Sequence, residues 1–126
     1  MRTRGRRARR KALRRGRWAE SVCAWWLRLH GYRVLGRNVR TPVGEIDILA
    51  RRGATLAVVE VKSRESLAEA AEALTGAQRR RIGRAAESLL AARPDWAELS
   101  VRFDAMLVRP WRLPQHIMDA WREDPK

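Results

Sequence analysis

From Gly44 to Arg64 the chain reads GEIDILARRGATLAVVEVKSR, and this stretch decides the fold. Glu45 to Ala50 alternates, which sets Ile46, Ile48 and Ala50 on one face of a strand and Glu45, Asp47 and Leu49 on the other. Arg51-Arg52-Gly53-Ala54 has the length of a hairpin connection. Thr55 to Lys62 follows, rich in β-branched residues, with Leu56, Val58, Glu60 and Lys62 on one face and Ala57, Val59 and Val61 on the other. Charged residues on strands that otherwise look like core are the informative feature. If the strands pair through the 51–54 turn, Asp47 and Glu60, thirteen residues apart, meet at the same end of the hairpin. Two carboxylates that converge repel and raise each other's pKa unless a cation sits between them. Hard oxygen ligands suit Mg²⁺ or Mn²⁺, which keep several waters and take one or two carboxylates. Lys62, on the same face as Glu60, is then placed to hold an attacking water or the charge developing on a phosphate.

Upstream, Trp18 to His30 reads as a helix, with Ala19, Val22, Cys23 and Trp26 recurring at spacings of three and four and Gly31 at its end. Tyr32 to Val39 is a short strand, followed by the turn Thr41-Pro42-Val43-Gly44. Downstream, Ser66 to Ala73 is helical in composition, and Thr75-Gly76-Ala77-Gln78 has the spacing of a capping box that opens a longer helix. Its stripe is Gln78, Ile82, Ala85 or Ala86, and Leu89, and Arg93-Pro94 stops it. Leu99 to Val108 is a strand with Leu99, Val101, Phe103, Ala105 and Leu107 inward, and Ile117 to Trp121 is read as a terminal helical turn or two. The order α-β-β-β-α-β predicts an α/β domain with a mixed sheet.

The chain has 126 residues with Lys+Arg 28 against Asp+Glu 14, a net charge of +14. That length suits one domain, and 45% hydrophobic residues exclude a disordered polybasic chain. No apolar run approaches a membrane span, the longest being stretches such as Val22 to Leu27 and Leu56 to Val59. One cysteine, Cys23, excludes an internal disulfide framework and a Cys-rich zinc site, so a reduced, cytoplasmic setting is expected. Residues 1–17 hold ten cations and no acid, whereas the remaining 109 carry a net charge of only +4. The expected organisation is a basic arm over 1–16 and one domain over 17–126. Such an arm reads as a phosphate-contacting tail; the plain alternative is an arginine-rich bias, 25 Arg to 3 Lys, in a solubilising terminus.

An isolated Glu-Val-Lys is a weak signal, but it stands here with Glu20, with Gly44-Glu45-Ile46-Asp47, and with Val59-Glu60-Val61-Lys62-Ser63-Arg64. Together with Arg17-Trp18-Ala19-Glu20, Gly31-Tyr32, Arg37-Asn38-Val39-Arg40 and Arg102-Phe103-Asp104, these residues resemble the YraN-type family of small bacterial proteins. That family is similar in pattern to the archaeal Holliday-junction resolvases and the PD-(D/E)xK nucleases. The resemblance implies a restriction-endonuclease-like αβββαβ core with a mixed sheet. It also implies Mg²⁺ or Mn²⁺ held by Asp47, Glu60 and the Val61 carbonyl, with Lys62 as catalytic lysine and Glu20 as a helix-borne carboxylate facing the same site. Gln78 corresponds to the glutamine or lysine that some relatives carry on the following helix. The pattern's Pro-Asp dipeptide is absent, since Ile46 precedes Asp47, and the arm before Arg14 has no counterpart in it.

Each residue also has a plainer role. Glu20 on a helix flank reads as a solvated acid, Glu45 as a turn support or an arginine partner, and Gln78 as the capping-box partner of Thr75. Asp104 reads as an ion-pair partner of Arg102 on a polar face, and Cys23 as a small buried hydrophobe. His30 and His116 read as helix-end residues. Of the six tryptophans some can stack on bases, and the rest serve the core or a homodimer contact. The function expected first is a metal-dependent endonuclease acting on structured or branched DNA. Arg14, Arg15, Arg17, Arg64, Arg79, Arg80, Arg81 and Arg84 would hold the backbone without reading sequence. The alternatives are a non-catalytic nucleic-acid or ribonucleoprotein-binding module on the same fold, and an assembly factor in which Glu60 and Lys62 form a surface ladder.

Overall fold

The computed structural model describes residues 17–122; the expectations for the arm, Arg14 and Arg15 included, lie outside these described residues. Helix α1 spans 17–29. It leads into β1 (Arg33–Thr41), β2 (Gly44–Arg52), β3 (Thr55–Ser63), α2 (Leu67–Ala73), α3 (Gly76–Ala91), a 3-10 turn (Pro94–Trp96), β4 (Ser100–Val108) and β5 (Gln115–Trp121). The strands form one sheet in the order β1-β2-β3-β4-β5. Neighbours are antiparallel except β3 and β4, which run parallel with Thr55 opposite Ser100 and Ser63 opposite Val108. A parallel pair needs a crossover, and α2 with α3 supplies it. The fold is thus the mixed α/β class expected, and its order is compatible with an αβββαβ nuclease-like core.

Local chemistry sets the joints. Gly31 ends α1 in the left-handed region at φ +84, where a side chain would be strained. Thr75 caps α3, its Oγ1 accepting from the Gln78 N–H at 3.2 Å. Both faces of the sheet are covered, which is why β3 reads as a nearly continuous apolar run. On one face Ala19, Cys23, Ala24 and Leu27 of α1 pack with Ile48, Val59 and Met106. On the other, Ile82, Ala85 and Ala86 of α3 pack with Leu49, Val58 and Phe103.

Three readings of the sequence need correcting. Ile117 to Trp121 is not helical but belongs to β5, which lies along the free edge of β4. Seven residues nucleate a helix poorly, whereas β4 offers them a row of unpaired backbone groups. Ile46 does not join Ile48 but packs with Leu49 on the α3 side, beyond the point where the β2–β3 ladder ends at Ile48 and Val59. In β4 the inward set is joined by Asp104, Met106 and Val108, all fully buried on the opposite face.

Candidate functional site

The β2–β3 ladder stops at Ile48 and Val59, and the next residue on each strand is a carboxylic acid, Asp47 and Glu60. The Val61 N–H donates to Asp47 Oδ2 at 2.9 Å, which fixes that carboxyl beside β3. Glu60 is only 7% exposed. Its Oε1 lies 3.4 Å from Lys62 Nζ and accepts from Gln78 Nε2 at 3.0 Å, while Lys62 Nζ donates to Gln78 Oε1 at 3.3 Å. Glu60, Lys62 and Gln78 therefore close a ring of polar contacts at the end of β3 where α3 begins. Gln78 is not the capping-box partner of Thr75 in its side chain; only its backbone N–H caps, and its amide serves the carboxylate.

The electrostatics follow from burial. Glu60 is pushed up to about 8, first by burial and then by the charge of Asp47, against the opposing pull of Lys62. Asp47 is raised as well, by burial, with the Val61 N–H holding it down. One buried and one half-buried acid beside one lysine leave a site that is short of positive charge. Among the described residues no group of three or more His, Cys, Asp and Glu side chains is gathered closely enough to ligate an ion. Two carboxylates with a main-chain carbonyl and water nevertheless meet the demand of Mg²⁺ or Mn²⁺. The donor chemistry fits such an ion.

Glu20 is also buried, 8% exposed, so it is not the solvated acid of the plainer reading. Its Oε2 accepts from Asn38 Nδ2 at 2.8 Å, and burial, opposed by Asn38 and reinforced by the charge of Asp47, raises its pKa. Glu20 thus stands at the rim of the pair, held by β1. Asn38 belongs to the Arg37-Asn38-Val39-Arg40 motif, but the sequence assigns it no role. It adopts φ +50 inside β1, a conformation that asparagine tolerates better than most residues. Besides that motif, an asparagine amid strand residues is its sequence signal. Cys23 is a buried thiol pushed up to about 12 by burial and by the charges of Asp47 and Glu20, so it is no nucleophile.

Arg79, Arg80, Arg81 and Arg84 are exposed on the first half of α3, directly after Gln78, and Arg17 and Arg64 are exposed too. Glu45 is exposed and makes no ion pair among the described residues. Asp104 does pair with Arg102, at 2.8 Å, but on a buried face rather than a polar one. There it also accepts from the Asp119 N–H and lies 2.8 Å from His116 Nε2, so His116 is a strand residue of a structural network and not a helix end. His30 does end α1, its Nδ1 2.7 Å from the Trp26 carbonyl oxygen. A groove of roughly 510 Å³, lined by Thr55, Ala86, Ser100, Phe103 and Trp121, shares no residue with the Asp47–Glu60 site. No helix among the described residues is long and apolar enough to cross a membrane.

The family model described as "Uncharacterised protein family UPF0102" matches residues 19–108, a span that holds Glu20, Asp47, Glu60, Lys62 and Gln78. The chain is 53% identical to UPF0102 protein amb4503 of Paramagnetospirillum magneticum, over 94% of this chain and 95% of that protein. It is 51% identical to a UPF0102 protein of Rhizorhabdus wittichii, over 87% of this chain and 92% of that one. UPF0102 protein bll0669 of Bradyrhizobium diazoefficiens is 52% identical, over 87% and 83%.

Proposed function

This chain belongs to the UPF0102 family, and from that premise and the geometry of its site we propose that it is a metal-dependent endonuclease. It hydrolyses phosphodiesters in structured or branched DNA and works in the cytoplasm. The observation that carries the reading is the pairing of half-buried Asp47 with buried Glu60, with Lys62 on the same Glu60 oxygen that Gln78 binds. Asp47, Glu60 and the Val61 carbonyl are the groups that would hold Mg²⁺ or Mn²⁺. Bound there, the ion supplies Lewis acidity toward the phosphodiester and acidifies a water. The residues of the chain do the rest. The Val61 N–H keeps Asp47 in place. Gln78 steadies Lys62, whose ammonium faces the position where phosphate charge develops. Glu20, oriented by Asn38, holds a water at the rim. Arg79, Arg80, Arg81 and Arg84 bind the backbone beside the cut.

The test is cleavage of labelled duplex, forked, four-way and single-stranded DNA with Mn²⁺ or EDTA. Wild type is expected to cut branched substrates with Mn²⁺ only. Asp47→Ala and Lys62→Ala should keep fold and DNA affinity and lose about a hundredfold or more in rate, as expected for a group that acts on transition-state charge. If wild type cuts and Lys62→Ala cuts equally fast, the assignment is wrong. One observation favours a second reading, a non-catalytic binding module: Glu60, Lys62 and Gln78 close their ring of contacts on one another without an ion. DNA binding without cleavage in any metal would select it.

A further inference from the structure

Helix α1 buries one side and, among the described residues, leaves the other without a partner. Its exposed side carries Trp18, 49% exposed, and Trp25, 50% exposed. They are seven residues apart, so they stand within roughly 20° of one another around the helix and about 10.5 Å apart along it. Leu29, also exposed, continues the stripe. Arg17 and Arg28, both exposed, lie alongside, about 80° to 100° around from Trp18. A third cation joins them from β1: Arg37 Nη2 donates to Ser21 Oγ at 2.9 Å, which lays its guanidinium across the same side of the helix. The helix has a single carboxylate, Glu20, and it is buried against Asn38. Among the described residues the face is therefore aromatic and cationic, and α1 brings no anion to it.

These features select an occupant. A second copy of the chain in a two-fold contact would set Arg17, Arg28 and Arg37 against themselves, and like charges oppose that. Intact duplex DNA offers phosphates but hides the faces of its bases. A strand with unpaired bases offers both, and stacking on aromatic side chains beside a basic track is how such strands are held. The face also adjoins the acidic site. Ser21 and Arg37, which touch each other, are the sequence neighbours of Glu20 and Asn38, which touch each other at the rim of Asp47.

Resting on the nuclease reading above, we infer that the outer face of α1 is a stacking platform for unpaired bases, with Trp18 and Trp25 as its two steps. The substrate class it implies is DNA with a single-stranded segment next to the cut, such as a fork or flap, rather than continuous duplex.

The experiment measures binding in EDTA, where cleavage plays no part, using an oligo-dT strand and a blunt duplex of equal length. The variants are Trp18→Ala/Trp25→Ala, Trp18→Phe/Trp25→Phe and Lys62→Ala, each with a thermal melt to show that it folds. The alanine pair should lose about tenfold or more on oligo-dT and little on duplex, and the phenylalanine pair should regain most of the loss. Equal loss on both ligands, no loss, or no binding of oligo-dT by wild type would overturn the inference. So would a change from dimer to monomer in the alanine pair with affinity intact, since that marks a contact between copies. Failure of the nuclease reading looks different: Lys62→Ala cutting like wild type, or no cutting at all, with Trp-dependent binding of oligo-dT preserved.

Discussion

Glu60 carries the electrostatic tension of the site, and its protonation sets a pH dependence whose sign is fixed. In the unfolded chain the group titrates at its ordinary value of 4.5, whereas in the fold burial and Asp47 push it up to about 8. Between those values the folded protein keeps a proton that the unfolded chain has lost, so stability is full below 4.5 and falls as pH rises toward 8. The expected penalty is on the order of a few kcal/mol. Thermal melts in EDTA should therefore show wild type losing Tm from pH 5 to pH 8.5, and Glu60→Gln giving a flatter curve. Parallel curves would contradict the assignment. Asp47→Asn should raise the metal-free Tm at pH 8, since the amide still accepts from the Val61 N–H and no longer repels Glu60. Mg²⁺ or Mn²⁺ at 100 times its Kd should stabilise wild type by about 2.7 kcal/mol, and the variant should lose most of that response. Equal metal responses at matched ionic strength would rule out Asp47 as a ligand. Asp47, Glu60 and Lys62 were legible in the sequence because charge on a buried strand is costly without a purpose. The roles of Asn38 and His116 were not, because each comes from a backbone angle or a neighbouring strand that no local pattern records.

Among the elements, α3 couples fold to site through its first turn. Thr75 Oγ1 holds the Gln78 N–H at 3.2 Å, and Gln78 then spans Glu60 and Lys62. Thr75→Ala should cost about 1 kcal/mol, read as a lower Tm, as loss of a threonine N-cap does. Gln78→Ala keeps the cap, so its effect should fall on the ring: Lys62 loses an acceptor, and metal-dependent cleavage should drop more than Tm does. If Gln78→Ala lowers Tm as much as Thr75→Ala and leaves cleavage unchanged, the amide is a structural filler. The capping-box spacing foretold this helix start correctly while naming the wrong partner for the side chain, because Glu60 lies eighteen residues upstream and only the sheet brings it near. The β2–β3 hairpin was legible for the opposite reason, its register being set by a short turn and strict alternation. The terminal strand was not, since Gln115–Trp121 has no clean alternation and its state is decided by the edge of β4.

On the scale of the whole molecule, charge and chemistry are divided between two regions. Residues 1–16 hold nine of the 28 cations and none of the 14 acids, while Glu20, Asp47, Glu60, Lys62 and the tryptophan face all belong to residues 17–122. A polyanion is therefore expected to meet two kinds of contact that respond differently to salt. Phosphates neutralised by arginine release counterions, so affinity for duplex DNA falls with salt at a log–log slope of about −0.9 per phosphate. Stacking on Trp18 and Trp25 releases none and leaves that slope nearly unchanged. Removing residues 1–16 should then weaken binding to every sequence alike, and five lost phosphate contacts would flatten the slope by ~4.5 units. The Trp18→Ala/Trp25→Ala variant should do the reverse, lowering affinity for oligo-dT at every salt concentration along a parallel line. Fluorescence anisotropy between 50 and 200 mM salt (roughly the range in which such slopes are read) separates the two. Equal slopes for full-length and truncated protein would show that the arm makes no phosphate contact, and would assign the basic role to Arg79, Arg80, Arg81 and Arg84 instead.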